Sequence, residues 1–161
     1  MAKIEDLITN KIYEIANVAL NKLIKPDITI DSVIAIDEKM IMEIKEKYKI
    51  EALILDVDET LRENAEQIPK CNQEWIDMIK KHFKIIVLSN GLDKWIADYF
   101  ANNDIKYIGM AFKPLRINFI RACIKLKVNP RKIMVIGDNT FDDIFAGKKM
   151  LMKTAKVNGV D

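Results

Sequence analysis

The sequence predicts an α/β fold in which a parallel sheet is flanked by helices. Three observations lead to it. From residue 52 onward, short apolar runs alternate with stretches of helical periodicity. The runs are rich in Ile and Val and lack polar alternation, the pattern of strands buried on both faces. Strand, helix, strand in repetition then calls for parallel neighbours joined by crossovers.

The elements follow in order. Over residues 3–25, Ile4, Leu7, Ile8, Ile12, Ile15, Ala19 and Leu23 recur at helical spacing, and Pro26 supplies a stop. A segment of mixed β-branched residues runs from Ile28 to Ile36. Asp37 is placed to cap a second helix through Met40, Ile41, Ile44 and Tyr48. Strands are expected at Ala52–Val57, Lys84–Leu88, Lys106–Gly109, Lys132–Ile136 and Lys153–Val157. The helices between them are marked by Trp75/Ile76/Ile79, Leu92/Trp95/Ile96/Tyr99, Leu115/Phe119/Cys123/Leu126 and Phe141/Ile144/Phe145. At those spacings Trp75 and Trp95 read as core residues. His82, at a helix end, reads as structural, its ring placed to satisfy carbonyls there.

Bulk properties narrow the function classes. A chain of 161 residues is long enough for one domain with a proper core. Lys and Arg total 26 against 24 for Asp and Glu, a net charge of +2, so no nucleic-acid footprint is expected. Cys71 and Cys123 form no metal motif and suit a reducing compartment. No stretch approaches the ~20 apolar residues of a membrane span. Glu5 and Asp6 interrupt what a secretory signal would keep basic and then apolar. A cytoplasmic protein is the expectation.

In open parallel sheets, sites form beyond the carboxyl ends of the strands. The first run is followed by Asp56-Val57-Asp58-Glu59-Thr60 and the second by Ser89-Asn90-Gly91. Lys113-Pro114 lie just past the third run, and Gly137-Asp138-Asn139-Thr140-Phe141-Asp142-Asp143 follow the fourth. A carboxylate closing an apolar strand is costly unless a cation compensates it. Converging carboxylates invite Mg²⁺, a hard cation that takes oxygen ligands. A metal lets an anionic nucleophile approach a phosphate. Asp56 can be that nucleophile, and Asp58, two residues on, can serve as general acid and base. Ser89, Asn90, nearby backbone N–H groups and the Lys113 ammonium are the candidate phosphate binders.

This pattern resembles the haloacid dehalogenase (HAD) superfamily of phosphohydrolases, whose Rossmann-like core carries four motifs in this order. D-x-D-x-T matches Asp56, Asp58 and Thr60; Ser89 matches the second motif and Lys113 the third. Asp138 with Asp143 matches the acidic fourth motif, and Asp142 would satisfy the alternative spacing. The resemblance implies Asp56 as nucleophile and metal ligand, and Asp58 as acid/base with its carbonyl on the metal. It implies Asp138 on Mg²⁺, Asp143 in support, and Ser89 and Lys113 on the phosphoryl group. Thr60 would brace the first loop. Residues 26 to 158 resemble more narrowly the subfamily IIIA, YqeG-like phosphatases, which are similar to phosphatidylglycerophosphate phosphatases. Glu59 and Gly91 depart from that subfamily, where Asn is usual at both positions.

Neither 61–83 nor 92–112 is long enough to hold an inserted cap domain, so a capless enzyme is expected. An open site suits a large phosphorylated substrate such as a lipid head group, and a protein or small-metabolite phosphate is the alternative. Residues 1–25 read as an amphipathic helix outside a phosphatase domain of 26–161. Its apolar stripe, flanked by Lys3, Lys11, Lys22 and Lys25, suits a peripheral membrane contact. Docking on the sheet or a homodimer is the better match, because Glu5, Asp6 and Glu14 dilute the basic face.

Overall fold

The computed structural model describes residues 2–160. Its centre is a six-stranded sheet: β1 (Ile28–Ile30), β2 (Ala52–Leu55), β3 (Lys84–Leu88), β4 (Lys106–Ile108), β5 (Ile133–Gly137) and β6 (Lys153–Val157). Every pairing is parallel, in the order β1-β6-β5-β2-β3-β4. Every residue of β2 and β5 is buried. Successive side chains enter opposite cores. Leu53, Leu55, Val87 and Ile136 join one, while Ile54, Ile86, Leu88 and Val135 join the other.

Helices cover both faces. The first core takes Ile41 and Ile44 from α2 (Glu38–Tyr48), Trp75, Ile76 and Ile79 from α3 (Lys70–Ile79), and Ile96 and Phe100 from α4 (Lys94–Asn102). The second takes Phe119, Ala122 and Leu126 from α5 (Arg116–Leu126), with Ala146 and Met150 from around the short α6 (Ala146–Lys149). Asp37 caps α2 as its position suggests, accepting from the Met40 amide at 2.8 Å.

The chain runs from β2 to β3 to β4 on one side, then returns across β2 to place β5 on the other. The order therefore reverses between β2 and β5, and a crevice opens beyond their carboxyl ends. Asp56 follows β2 and Asp138 follows β5, so both carboxylates stand at this switch point.

Some elements differ from the sequence reading. The segment 28–36 splits into β1 and a 3₁₀ turn, Val33–Ala35. The stretch around Phe141 begins as a π-helical turn, Thr140–Phe145, before it becomes α6. Trp75 is buried and donates from its indole to the Ile36 carbonyl. Trp95 is not a core residue: it is 40% exposed and stacks on Tyr99. Helical spacing placed it on the boundary of the apolar face, and Ile96 took the inward position. His82 lies three residues past the end of α3 and is half-buried.

The first helix, α1 (Ala2–Leu23), packs against the π-helical turn. Tyr13 meets Phe141 edge to face and donates its hydroxyl to Asp142. Asn21 accepts from Thr140 and from Lys156. The sequence expectation is docking on the sheet or a homodimer; the contacts instead seat α1 mainly on the turn that follows β5. Ile4, Leu7 and Ile8 of the predicted stripe have side chains outside the described ones.

Candidate active site

Asp56 leaves β2 at the switch point and remains paired to the sheet, its amide donating to the Ile136 carbonyl at 3.0 Å. Its carboxylate is nearly buried and meets Lys113 Nζ at 2.5 Å. The same ammonium meets Asp143 Oδ1 at 2.7 Å. Lys113 therefore bridges the first and fourth motifs from the loop after β4. Thr60, fully buried, donates toward Asp56 Oδ2 at 3.3 Å and accepts the Asp138 amide at 3.0 Å. It ties the loop after β2 to the loop after β5.

Asp143 reaches the cluster because the π-helical turn brings it back over Gly137. Its Oδ2 accepts the Asn139 amide at 3.2 Å. A Cβ built on Gly137 would stand 2.3 Å from that oxygen, so only glycine leaves room for the carboxylate. Asn139 caps the turn, its side chain accepting from the Phe141 and Asp142 amides. Asp142 points elsewhere, toward Tyr13 and the Asn90 amide nitrogen. Of the two candidates for the second acidic position, Asp143 is the one placed in the cluster.

One carboxylate oxygen from each of Asp56, Asp138 and Asp143 lies within 4.8 Å of the other two. Burial pushes the carboxyl of Asp138 up to about 7, reinforced by the Asp56 charge and opposed by Lys113. Burial likewise raises Asp143, against the pull of Lys113. Burial alone would lower the Lys113 ammonium, but Asp143 and Asp56 raise it, so it stays charged. One ammonium facing three carboxylates leaves a deficit of positive charge. The donor set is all oxygen and clustered, with Asp56 and Asp143 buried and Asp138 partly so, and it fits a hard divalent cation.

The other predicted residues ring this cluster. Ser89 is buried after β3, and its hydroxyl accepts the Gly91 amide at 3.1 Å. Asn90 Oδ1 accepts the Lys113 amide at 2.7 Å, so its role here is to hold the lysine loop. The Lys113–Pro114 peptide is cis. Asp58 lies on the flap formed by residues 58–68, more exposed than Asp56.

Arg62 is a functional candidate that sequence reading missed. Only 4% exposed, it donates from Nε to Asp58 at 2.9 Å and from Nη1 to Asp93 at 2.7 Å. It thus fixes the Asp58 carboxylate against the N-terminus of α4, where Asp93 is the cap. The available signal was an arginine four residues after Asp58 with a capping aspartate beyond the next strand. Neither announces a pair that only the fold brings together.

The family model for the mitochondrial PGP phosphatase matches residues 11–161. The chain belongs to that family. The match starts inside α1, ahead of the residues 26–158 that carry the motif resemblance. The chain is also similar to the probable phosphatase YqeG of Bacillus subtilis (strain 168), at 27% identity over 135 residues. That alignment covers 81% of this chain and 74% of the relative. Among solved structures, a predicted HAD-like hydrolase from Porphyromonas gingivalis superposes with TM-score 0.56 at 10% identity, covering 68% of this chain and 92% of that one. A 2-haloacid dehalogenase from Pseudomonas syringae superposes with TM-score 0.52 at 14% identity, covering 68% and 94%. The fold is that of the HAD superfamily, and the protein is a HAD-type phosphatase, YqeG-like in kind. Among the described residues no helix is long and apolar enough to cross a membrane.

Proposed function

We propose that this phosphatase hydrolyses a phosphomonoester through an aspartyl-phosphate on Asp56, with Mg²⁺ as cofactor and a phosphatidylglycerophosphate-like lipid as substrate. The observation that carries the reading is Lys113, buried between Asp56 and Asp143 at the switch point beside Asp138. A carboxylate so placed is oriented and held by its partner, which suits nucleophilic attack.

In the first step an Asp56 oxygen forms a bond to phosphorus while the bond to the alcohol oxygen breaks. Asp58 gives its proton to that departing oxygen. In the second step Asp58 takes a proton from water, the water oxygen attacks phosphorus, and the bond to Asp56 breaks. Ser89 and Lys113 bind the equatorial oxygens, where charge develops. Thr60 keeps the two acidic loops in register, and Arg62 sets the position of Asp58. Asp56, Asp138 and the Asp58 carbonyl would hold Mg²⁺, with Asp143 in support; the ion supplies charge neutralisation at the phosphoryl group.

The lipid substrate rests on the family match and on a site without an inserted cap between residues 61–83 or 92–112, where the chain forms only the flap, α3, α4 and β4. Phosphate release from phosphatidylglycerophosphate, nucleotides, sugar phosphates and a phosphopeptide, each with Mg²⁺ and with EDTA, tests it. Mg²⁺-dependent release from the lipid supports the whole reading. Preference for a soluble ester rejects the lipid and keeps the chemistry, and turnover undiminished in EDTA rejects the metal.

A further inference from the structure

The loops after β3 and β4 are stitched together at the mouth of the site. The Met110 amide donates to the Gly91 carbonyl, the Ala111 amide to Ser89, and the Lys113 amide to the Asn90 side chain. These loops present four large apolar side chains to solvent. Leu92 is 75% exposed, Met110 47%, Phe112 58% and Leu115 60%.

Two of the four are placed against their own backbone preference. Met110 and Phe112 both take φ 48°, in the left-handed region where bulky residues are disfavoured and Asn or Gly is expected. Lys49 and Lys127 adopt that conformation too, but at the ends of α2 and α5, where it terminates a helix. Met110 and Phe112 end no helix. Each side chain is about half exposed, so core packing does not account for a bulky apolar residue at either position.

The exposed charges that flank these four residues, Lys94 and Arg116, are cationic, while Glu59 of the flap stands across the cavity from Leu92 and Lys94. Lys113 is committed to the cluster, and the carboxylate of Asp93 is engaged by Arg62. The first helix belongs to the same sheet edge, because Tyr13 and Asn90 both hold Asp142. It leaves Ile12, Ile15, Val18 and Leu23 exposed, with Lys11, Lys22 and Lys25 near them and Glu14 opposing.

We infer that the apolar rim Leu92, Met110, Phe112 and Leu115, with Lys94 and Arg116, docks on the surface of an anionic lipid bilayer. The inference rests on the lipid-phosphatase reading and adds to it the surface through which the site meets its substrate. Apolar side chains enter the interface while the flanking cations meet lipid phosphates. A bilayer is favoured over a second copy of the chain because the rim borders the phosphate site itself. A partner chain seated there would obstruct the mouth, whereas a bilayer carries the scissile phosphate into it.

The test is sedimentation of the full chain with vesicles of phosphatidylcholine alone and of phosphatidylcholine mixed with phosphatidylglycerol. The Asp56→Asn chain gives the same reading without turnover. The comparison is the double variant Met110→Asn/Phe112→Asn, whose new residues suit the left-handed backbone and so preserve the loop. Binding to the mixed vesicles, weakened at least about tenfold in the double variant and reduced by salt, is expected. Turnover of p-nitrophenyl phosphate should be unchanged in the variant, while hydrolysis of a vesicle-embedded phospholipid monoester falls. Equal sedimentation of the two chains would overturn the inference. So would a dimer in light scattering that the double variant dissociates while neither chain binds vesicles. Binding of this kind without release of phosphate from the lipid would leave the docking surface standing and reject the substrate.

Discussion

Replacing Lys113 by Met removes the ammonium from between Asp56 and Asp143 while keeping most of the side-chain volume. Lys113 has a side chain only 4% exposed, and its partners stand at 2.5 and 2.7 Å. Breaking a buried pair by deleting one partner costs about 3–5 kcal/mol, since the surviving charges stay desolvated. For a chain of this size that corresponds to a fall in Tm of roughly 6–20 °C. A divalent cation bound as proposed would neutralise the same carboxylates, so the cost should be smaller in Mg²⁺ than in EDTA. The assay is urea unfolding of both chains in each condition at about pH 8, above the raised carboxyl of Asp138. A loss below about 1 kcal/mol, the value of an exposed pair, would refute the argument that Lys113 compensates buried charge. An identical loss in Mg²⁺ and EDTA would refute the shared-cluster reasoning.

Three further outcomes are expected. Asp56→Asn should lower turnover by at least about 10⁴-fold with the circular dichroism spectrum unchanged; residual turnover, once deamidation is excluded by mass spectrometry, would remove Asp56 as nucleophile. Arg62→Met should lower kcat by about 10²-fold for an alkyl phosphate and less for p-nitrophenyl phosphate, whose leaving group needs no proton. An equal loss for both esters would make Arg62 a purely structural residue. In EDTA, stability should fall as pH rises from about 4 to about 7. The folded state holds the Asp138 proton more tightly than the unfolded chain, so its contribution is complete below the ordinary carboxyl value and is lost through about 7. Thermal unfolding across that window checks this, and Asp138→Asn should flatten the slope.

The sheet was legible because its central strands are uniformly apolar. β2 and β5 bury every residue, and such runs carry their own boundary in the polar residue that follows. That same polar residue falls in the candidate site, so Asp56 and Asp138 could be picked out from position. What lay beyond reach depends on distance in space. Arg62 reaches Asp58 along the flap and Asp93 across it, and Tyr13 meets Asp142 over a separation of 129 residues. Trp95 failed for a different reason. Periodicity locates an apolar face but not its edge, and Trp95 sits beside the inward Ile96.

The departures from local preference are not scattered at random. Asp143 sits on a π-helical turn over a glycine that admits no Cβ, and this geometry sets its carboxylate against Lys113. Met110 and Phe112 hold left-handed conformations a few residues before that lysine. Glu59, beside Asp58, does the same in the flap. Apart from the left-handed residues that end helices, Lys49, Asp104, Lys127 and Leu151, local rules are kept through the sheet and the helices and broken at the carboxyl edge, where three carboxylates converge, two of them buried. A sequence selected for stability alone would remove those carboxylates, fill Gly137 and place Asn in the lysine loop. That these costs gather in three loops around one crevice is the physical signature of a site, and it is independent of the motif pattern.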